Sequence, residues 1–219
     1  MQTLEKPKET AQETTQSAAL TCRVFQPGKT PLRRLLRETT RNSHERLHRH
    51  PGFAAILDQT IDRTAYKALL SRLWGFYISF ETAAWITPQR SRWLKTDLLA
   101  LGVAGRMIAT IPRCPFIPQL ETPERRAGAL YVVEGSALGG RELARRLDRL
   151  LGSDATEGRS FLTGRGSDTG AVWRTLVVQL ESWADDDIAR GEVSAAAVET
   201  FVAFEEWLAD WGGSADVRG

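Results

Sequence analysis

The chain has 219 residues, of which 42% are hydrophobic and 26% are charged, a composition typical of one globular domain with a substantial core. A formal net charge of +2 is too small to indicate nucleic-acid binding, and no apolar run approaches the roughly 20 residues that a membrane-spanning helix needs. Cys22 and Cys114 lack metal-type spacing and no secretory segment follows Met1, so we expect free thiols in a cytoplasmic protein.

The two ends of the chain differ in composition from its middle. Residues 1–29 are rich in Thr, Gln, Glu and Lys and poor in large apolar side chains, so burial cannot offset the entropy lost on ordering them. We therefore expect a disordered N-terminal tail over residues 1–29, one helical domain over residues 30–211, and a flexible C-terminus over residues 212–219.

Apolar spacing in the middle of the chain predicts helices, and no segment alternates with the period of two that strands require. Thr30 as N-cap followed by Pro31 predicts a helix start, and this helix should run to about His48 before Pro51-Gly52 ends it. Asp62 should cap the next helix. We expect an all-α fold of five to seven helices, with the later helices near 63–86, 91–102, 124–151, 170–190 and 194–210 and loops at 112–118 and 152–169.

The first predicted helix carries much of the basic charge and the chain's three histidines, His44, His48 and His50. Residues 23–49 contain eight Lys or Arg against two Glu, which indicates either a solvated surface or a rim that binds anions. Helical spacing aligns His44 with Leu36 on the apolar face. An imidazole there is either a hydrogen-bonded core residue or a metal ligand.

Several metal sites are compatible with this helix. His44 and His48 would chelate one ion, and Glu45 to His48 has the Glu-x-x-His form of di-iron bundles. A di-iron site needs a second such motif, and a zinc site needs further ligands at matching spacings, which the sequence lacks. Haem iron needs only one protein imidazole because the porphyrin supplies four ligands. The scarcity of histidine therefore favours haem, and Arg37, two helical turns before His44, would meet a propionate.

Glycines interrupt the segment from Gly135 to Gly140, whose flanks are regular helix. Each interior glycine costs about 1 kcal/mol relative to alanine, so these positions need a reason. Either small residues let two helices pack closely, or absent Cβ atoms let a helix cross one face of haem and leave space for bound O2. The second interpretation predicts haem between a proximal helix bearing His44 and a glycine-kinked distal helix.

From about Leu32 to Leu208 the chain resembles the haem oxygenases, particularly the bacterial type associated with bacteriophytochromes. The segment 36–44 is similar to the family's proximal helix, which implies that His44 ligates the iron and that Arg37 contacts a propionate. Trp173-Arg174 resembles the segment of a second propionate contact, so the resemblance gives that role to Arg174.

Two further segments, 75–81 and 131–140, are similar to patterns of the phytochrome-linked branch. The resemblance implies a distal oxygen site formed by Gly135, Ser136, Gly139 and Gly140. Many haem oxygenases have aspartate after the first glycine, where it organises water; this chain has Ser136, as the bacterial branch tends to. Arg165 stands where that branch usually has a Tyr-Gly pair.

The resemblance implies an enzyme for which haem b is both cofactor and substrate, cleaving it with O2 to biliverdin, carbon monoxide and ferrous iron. Electrons would come from an external donor such as ferredoxin or flavodoxin, because no flavin or nicotinamide fingerprint is present. A bacteriophytochrome would be a candidate recipient of the bilin. Three alternatives stay open: a non-catalytic haem carrier or sensor, a thiaminase-like or di-iron helical enzyme, and a non-catalytic partner that docks onto a phytochrome.

Overall fold

The computed structural model describes residues 30–182 and 186–211, and every regular element in these residues is helical. The all-α prediction is confirmed, and seven of these α-helices have eight or more residues. The tail predicted at 1–29 and the flexible end predicted at 212–219 lie outside the described residues. The α-helices are α1 (Leu32–Thr39), α2 (Arg41–His48), α3 (Pro51–Leu57), α4 (Arg63–Ala83), α5 (Arg90–Ala100), α6 (Gly105–Ala109), α7 (Pro123–Arg146), α8 (Asp148–Leu151), α9 (Ser160–Thr163), α10 (Thr169–Ser182) and α11 (Asp187–Ala209), and a 3-10 helix spans Gly166–Asp168.

Two helices, α1 and α2, replace the single helix predicted up to His48. They are separated at Thr40, which has φ −97° and ψ 0°. The Thr40 hydroxyl donates a 2.7 Å hydrogen bond to the carbonyl oxygen of Leu36. A hydroxyl that bonds back to the preceding turn competes with the helical backbone bonds and bends the helix, which accounts for the break.

The first turn of α1 is capped from a distant part of the chain. Pro31 occupies the N-cap position, so the prediction of Thr30 as N-cap is wrong. The Glu181 carboxylate of α10 accepts hydrogen bonds from the N–H groups of Leu32 at 3.0 Å and Arg33 at 2.9 Å. A helix N-terminus has free donors and a positive dipole end, both of which a carboxylate stabilises. Glu181 therefore ties the start of α1 to the end of α10.

The larger hydrophobic core surrounds α4. Asp62 caps this helix as predicted, because its carboxylate accepts a 2.7 Å hydrogen bond from the N–H of Ala65. The helix ends at Ala83 rather than at residue 86, since Trp85 has left the helical region with φ 54°. Side chains from α5, α7 and the end of α11 pack around α4, and its own fully buried members include Tyr66, Leu69, Leu70, Phe76 and Phe80.

The long helix α7 contributes side chains to both cores. Thr122 caps it by accepting a 3.2 Å hydrogen bond from the N–H of Arg125. The helix is continuous from Pro123 to Arg146, across its glycines, and ends before the predicted residue 151 because the chain leaves it at Leu147, after which α8 follows. A smaller core joins α7 to α1, α10 and α11 through residues that include Leu32, Leu36, Val132, Leu176 and Phe201.

The remaining boundaries also differ from the prediction. α3 and α6 were not predicted, and α9 and the 3-10 helix lie within the segment 152–169 that was predicted as a loop. α10 is described as far as Ser182. α11 begins at Asp187 rather than 194, because the Asp186 carboxylate caps it by accepting a 2.8 Å hydrogen bond from the N–H of Ile188. None of the helices in the described ranges is long and apolar enough to span a bilayer.

Candidate functional site

Side chains of α1, α7 and α10 meet around Tyr131. The ring centroid of Tyr131 lies 5.2 Å from that of Trp173 on α10. Burial raises the pKa of the Tyr131 phenol, while Arg33 and Arg37 of α1 oppose that rise. Positive charges have this effect only when they lie near the phenol. Arg37 is therefore within electrostatic reach of the tyrosine that contacts the Trp173 indole.

Two arginines predicted to bind an anion, Arg37 and Arg174, are exposed and form no hydrogen bond or ion pair with any other described residue. Neighbouring basic residues differ in this respect. Arg34 pairs with Glu38 at 2.9 Å, and Arg46 pairs with Glu205 at 2.9 Å. The guanidinium groups of Arg37 and Arg174 thus remain available for a carboxylate ligand, to which arginine binds in bidentate fashion.

His44 is exposed, so the prediction that it lies on the buried face is wrong for this residue; Leu32, Leu36 and Thr40 of that face are buried, and in α2 the buried residue is Ser43. The His44 ring centroid lies 4.5 Å from that of His48 and 6.5 Å from that of Phe201 on α11. Partial burial lowers the pKa of His44, His48 lowers it further, and the nearby Glu45 opposes this. A neutral imidazole with an open edge is the form that ligates iron.

The third histidine, His50, has a structural position. Its Nδ1 accepts a 3.1 Å hydrogen bond from the N–H of Gly52 and so caps α3. With Nδ1 an acceptor, Nε2 carries the proton and donates to the carbonyl oxygen of Leu208 at 3.2 Å. Both ring nitrogens are engaged, so His50 is not a candidate ligand.

Two glycines of α7 allow close packing between helices. A Cβ atom at Gly128 would lie 2.0 Å from the carbonyl oxygen of Val193 on α11. A Cβ atom at Gly140 would lie 2.5 Å from the carbonyl oxygen of Leu162 on α9. Such distances exclude any side chain unless the backbone moves. Packing therefore accounts for Gly140 without a ligand, as the close-packing interpretation expects.

Gly135 and Gly139 lie in different surroundings. A Cβ atom at Gly135 would lie 3.3 Å from the Trp173 indole, which is tight but not excluded. At Gly139 the Cβ atom would have no heavy atom within 4 Å, apart from its own helix backbone, and the residue is exposed. Packing therefore does not require a glycine at position 139.

Ser136 is connected to a buried tyrosine of α4. Its hydroxyl donates a 2.8 Å hydrogen bond to the carbonyl oxygen of Val133. Burial raises the pKa of the Tyr77 phenol, and Arg90 and a hydrogen bond with Ser136 oppose that rise. The phenol therefore stays protonated at neutral pH and can act as a donor.

A buried ion pair lies beside Tyr77. Arg90 of α5 pairs with Glu134 of α7 at 3.0 Å, with 7% and 16% of the two side chains exposed. The Arg90 guanidinium is 5.7 Å from the centre of the Tyr77 ring. Glu81 accepts hydrogen bonds from the N–H groups of Gln89 and Arg90 at 2.9 Å and 2.6 Å. These contacts lock α4, α5 and α7 together behind Ser136.

The alternative metal sites find no support in the geometry. In the segments that the structure describes, no group of three or more His, Cys, Asp or Glu side chains is arranged to hold a metal ion. Cys114 is buried and free. A ligand that brings its own iron needs only one protein imidazole, for which His44 is the candidate.

Comparisons with known proteins identify the family of the chain. A family profile described as heme oxygenase matches residues 30–210. The chain belongs to the haem oxygenase family. It is 29% identical over 160 residues to the heme oxygenase of Xanthomonas campestris pv. campestris strain 8004, a match that covers 68% of this chain and 92% of that protein.

Two solved structures have the same fold. The heme oxygenase-1 of Synechocystis sp. PCC6803, in complex with heme, superposes with a TM-score of 0.68 at 16% identity, covering 84% of this chain and 93% of that one. A domain of unknown function with a heme oxygenase-like fold from Shewanella denitrificans OS217 has a TM-score of 0.69 at 12% identity, covering 88% and 100% of the two chains. At these identities the likeness shows the fold alone.

Sequence reasoning missed three parts of this site. Tyr131 was noted within a motif, but its position between α1 and α10 was not foreseen. Glu181, which fixes α1, gave no local signal. The Arg90–Glu134 pair had one available signal, because Glu134 is a single charge between Val133 and Gly135 on a largely buried stretch and so required a partner.

Proposed function

We propose that the chain is an active haem oxygenase that cleaves haem to biliverdin, carbon monoxide and ferrous iron, using O2 and external electrons. The observation that carries this proposal is the open surface at Gly139, a glycine that no packing contact requires. A helix crossing a flat substrate at van der Waals distance needs such a position. Family membership supports haem as that substrate.

In this proposal three side chains hold haem. His44 ligates the iron from α2 through the open edge of its ring. Arg37 and Arg174 bind the two propionates, because both guanidinium groups lack other partners and a doubly anionic edge requires positive charge. Trp173 and Tyr131 form the apolar wall between them and fix the substrate's orientation. Haem so bound supplies the iron that activates O2.

On the other face, Gly135 and Gly139 leave space for O2, and Ser136 serves as a polar contact. In many haem oxygenases a carboxylate at this position organises water. We infer that the hydroxyls of Ser136 and Tyr77 hold that water here, with the Arg90–Glu134 pair keeping Tyr77 in place. Gly140 supports the arrangement by letting α9 approach α7.

Electrons would come from an acidic carrier such as ferredoxin or flavodoxin. The proposal rests on the exposed, unpaired guanidinium groups near the propionate positions, which attract a negatively charged partner. We further propose that the enzyme is cytoplasmic, of the bacteriophytochrome-associated type, and supplies biliverdin as phytochrome chromophore. The sequence patterns at 75–81 and 131–140 support that assignment.

The test is a turnover assay on protein titrated with one equivalent of haem. With ascorbate or a ferredoxin–reductase system, an oxygenase bleaches the Soret band and yields a bilin that chromatography identifies as biliverdin. A carrier or sensor keeps its Soret band and yields no bilin. The carrier is retained as the second candidate because Ser136 replaces the carboxylate of many family members.

A further inference from the structure

A cavity of about 640 Å³ lies between the end of α4, the start of α5 and one side of α7. Its volume is within the range of small-molecule sites, roughly 300–1,000 Å³. None of the residues proposed above to hold haem lines it; the residues of α7 that do are Leu130 and Glu134. The cavity is therefore separate from the haem site.

The two carboxylates in the wall are already engaged. Glu81 accepts hydrogen bonds from three successive N–H groups, those of residues 89–91, and from the Ser91 hydroxyl. Glu134 is paired with Arg90 at 3.0 Å. Both carboxylates are therefore held by groups of the protein itself, Glu81 by donors at the start of α5 and Glu134 by Arg90.

Two arginines in the wall, unlike these two glutamates, have no partner among the described residues for their charged groups. Arg92 of α5 and Arg165 are exposed, and neither guanidinium group forms a hydrogen bond or ion pair with a residue in the described ranges. Arg165 lies between Gly164 and Gly166, whose φ values of 57° and 58° are in the left-handed region that favours glycine. The two glycines therefore allow the backbone to turn on both sides of Arg165. The wall thus has three arginines against two glutamates, and Arg92 and Arg165 are the arginines whose guanidinium groups have no partner in the described ranges.

The rest of the wall is partly apolar. Trp93, Ile86 and Leu130 contribute flat or aliphatic surface, and Thr87, Gln89 and Thr96 contribute neutral hydrogen-bonding groups. Guanidinium groups bind carboxylates in a planar, bidentate manner, and an indole favours a flat apolar body. We propose that this cavity binds a small organic carboxylate with a planar apolar body, held by Arg92 and Arg165 with its body against Trp93.

Isothermal titration of the full-length chain with phthalate, benzoate and inorganic phosphate at low ionic strength tests the proposal. Phthalate should bind with a stoichiometry of one and more tightly than phosphate, which lacks the apolar body. Arg92→Gln and Arg165→Gln should each weaken phthalate binding by about tenfold. Arg106→Gln, an exposed arginine without a partner that does not line the cavity, is the matched control and should bind phthalate as the parent does.

Three results would overturn the proposal: no phthalate binding, binding that survives the double substitution, or phosphate binding as tightly as phthalate. Because all three arginines are exposed, melting curves should be unchanged, and binding can be compared between folded proteins. Haem titration of the same variants separates this site from the proposed function. We expect unchanged haem affinity, so a failure here leaves haem oxygenase activity untouched, and the reverse also holds.

Discussion

The backbones of Gly128 and Val193 lie too close together for a side chain at position 128, because a Cβ atom there would be 2.0 Å from the Val193 carbonyl oxygen. The close crossing of α7 and α11, the two longest helices described, therefore requires a glycine at position 128. Eleven residues further along α7, Gly139 has no such neighbour. Glycines in one helix thus serve separate purposes, which substitution can distinguish.

Gly128→Ala should destabilise the protein by at least about 1–3 kcal/mol, because the backbone of α11 must move. Gly139→Ala should instead stabilise haem-free protein by about 0.5–1 kcal/mol, since an exposed helical glycine costs that much. Urea unfolding of the two variants measures both effects. Destabilisation by Gly139→Ala of the same size as that by Gly128→Ala would show that position 139 is also packed.

Gly139→Leu is predicted to fold and bind haem but to form biliverdin much more slowly, because a side chain would occupy the space proposed for O2. The melting temperature, the haem affinity and the bilin yield per folded molecule should be measured on one preparation. A destabilised variant with normal bilin yield would contradict the assignment of Gly139 to the oxygen site.

His44→Ala should remove the normal iron ligand and change the visible spectrum of the haem-loaded protein, since an imidazole is a strong-field axial ligand. His48→Ala is the matched control, because it lies one turn away on the same exposed surface. If His48→Ala lost the parent spectrum while His44→Ala kept it, the assignment of the iron ligand would be reversed.

Arg37→Ala and Arg174→Ala should each weaken haem binding by about tenfold or alter the bilin isomer formed, because a charge-assisted hydrogen bond contributes about 1.5–3 kcal/mol. Fluorescence-quenching titration and product chromatography measure the two outcomes. Arg34→Ala provides the comparison, because Arg34 pairs with Glu38 instead. A double variant with parental affinity and parental isomer would remove both arginines from the site.

The two hydrogen bonds of the His50 ring predict that the free energy of unfolding depends on pH. Burial lowers the pKa of His50 below 6.5, and the Leu208 carbonyl opposes this. The unfolded chain therefore binds a proton at His50 more readily than the folded chain does. The contribution of neutral His50 to the free energy of unfolding is fully present above pH 6.5 and is lost as the pH falls through the lowered pKa of the folded state. Protonated Nδ1 can no longer accept from Gly52, so a cap of about 1 kcal/mol is lost.

His50→Asn keeps an acceptor for the N-cap without a titrating ring. Its melting temperature should fall less than that of the parent between pH 7 and pH 5. The difference between the two proteins isolates His50 from other groups, including His44, that also titrate in this range. Parallel curves for parent and variant would show that His50 does not titrate with folding.

Local signals predicted the parts of the fold that local chemistry determines. Asp62 caps α4 where the sequence predicted it, and Pro123 is the first residue of α7. Both residues act on the helical turn in which they lie, so a short sequence pattern is enough to reveal them. The break at Thr40 was missed because a threonine hydroxyl bonds back to the helix only in some contexts. Helical spacing correctly placed Leu32, Leu36 and Thr40 on a buried face, but it did not reveal that His44, one turn further along, is exposed.

The site was only partly predictable for a different reason. Composition and helical spacing selected His44 and Arg37, and the family resemblance selected Arg174, but the residues that hold the surrounding helices in place come from distant positions. Glu181 and Leu32 are 149 residues apart in sequence, and no local pattern joins them. Equally, only the packed structure distinguishes Gly140, which faces the Leu162 backbone, from Gly139, which faces open space.

The capping of α1 by Glu181 bears on the order in which the molecule is made. α1 and α2 precede the other described helices in the chain, yet they are anchored by Glu181, by Glu205 through Arg46, and by Arg190 through the Thr30 carbonyl at 2.6 Å. Contacts between residues so distant in sequence form late, because a long loop must close first. α1 and α2 therefore stay undocked from these partners until α10 and α11 have been synthesised. A nascent chain stalled before α10 would contain His44, the proposed iron ligand, without the residues that hold its helix in place.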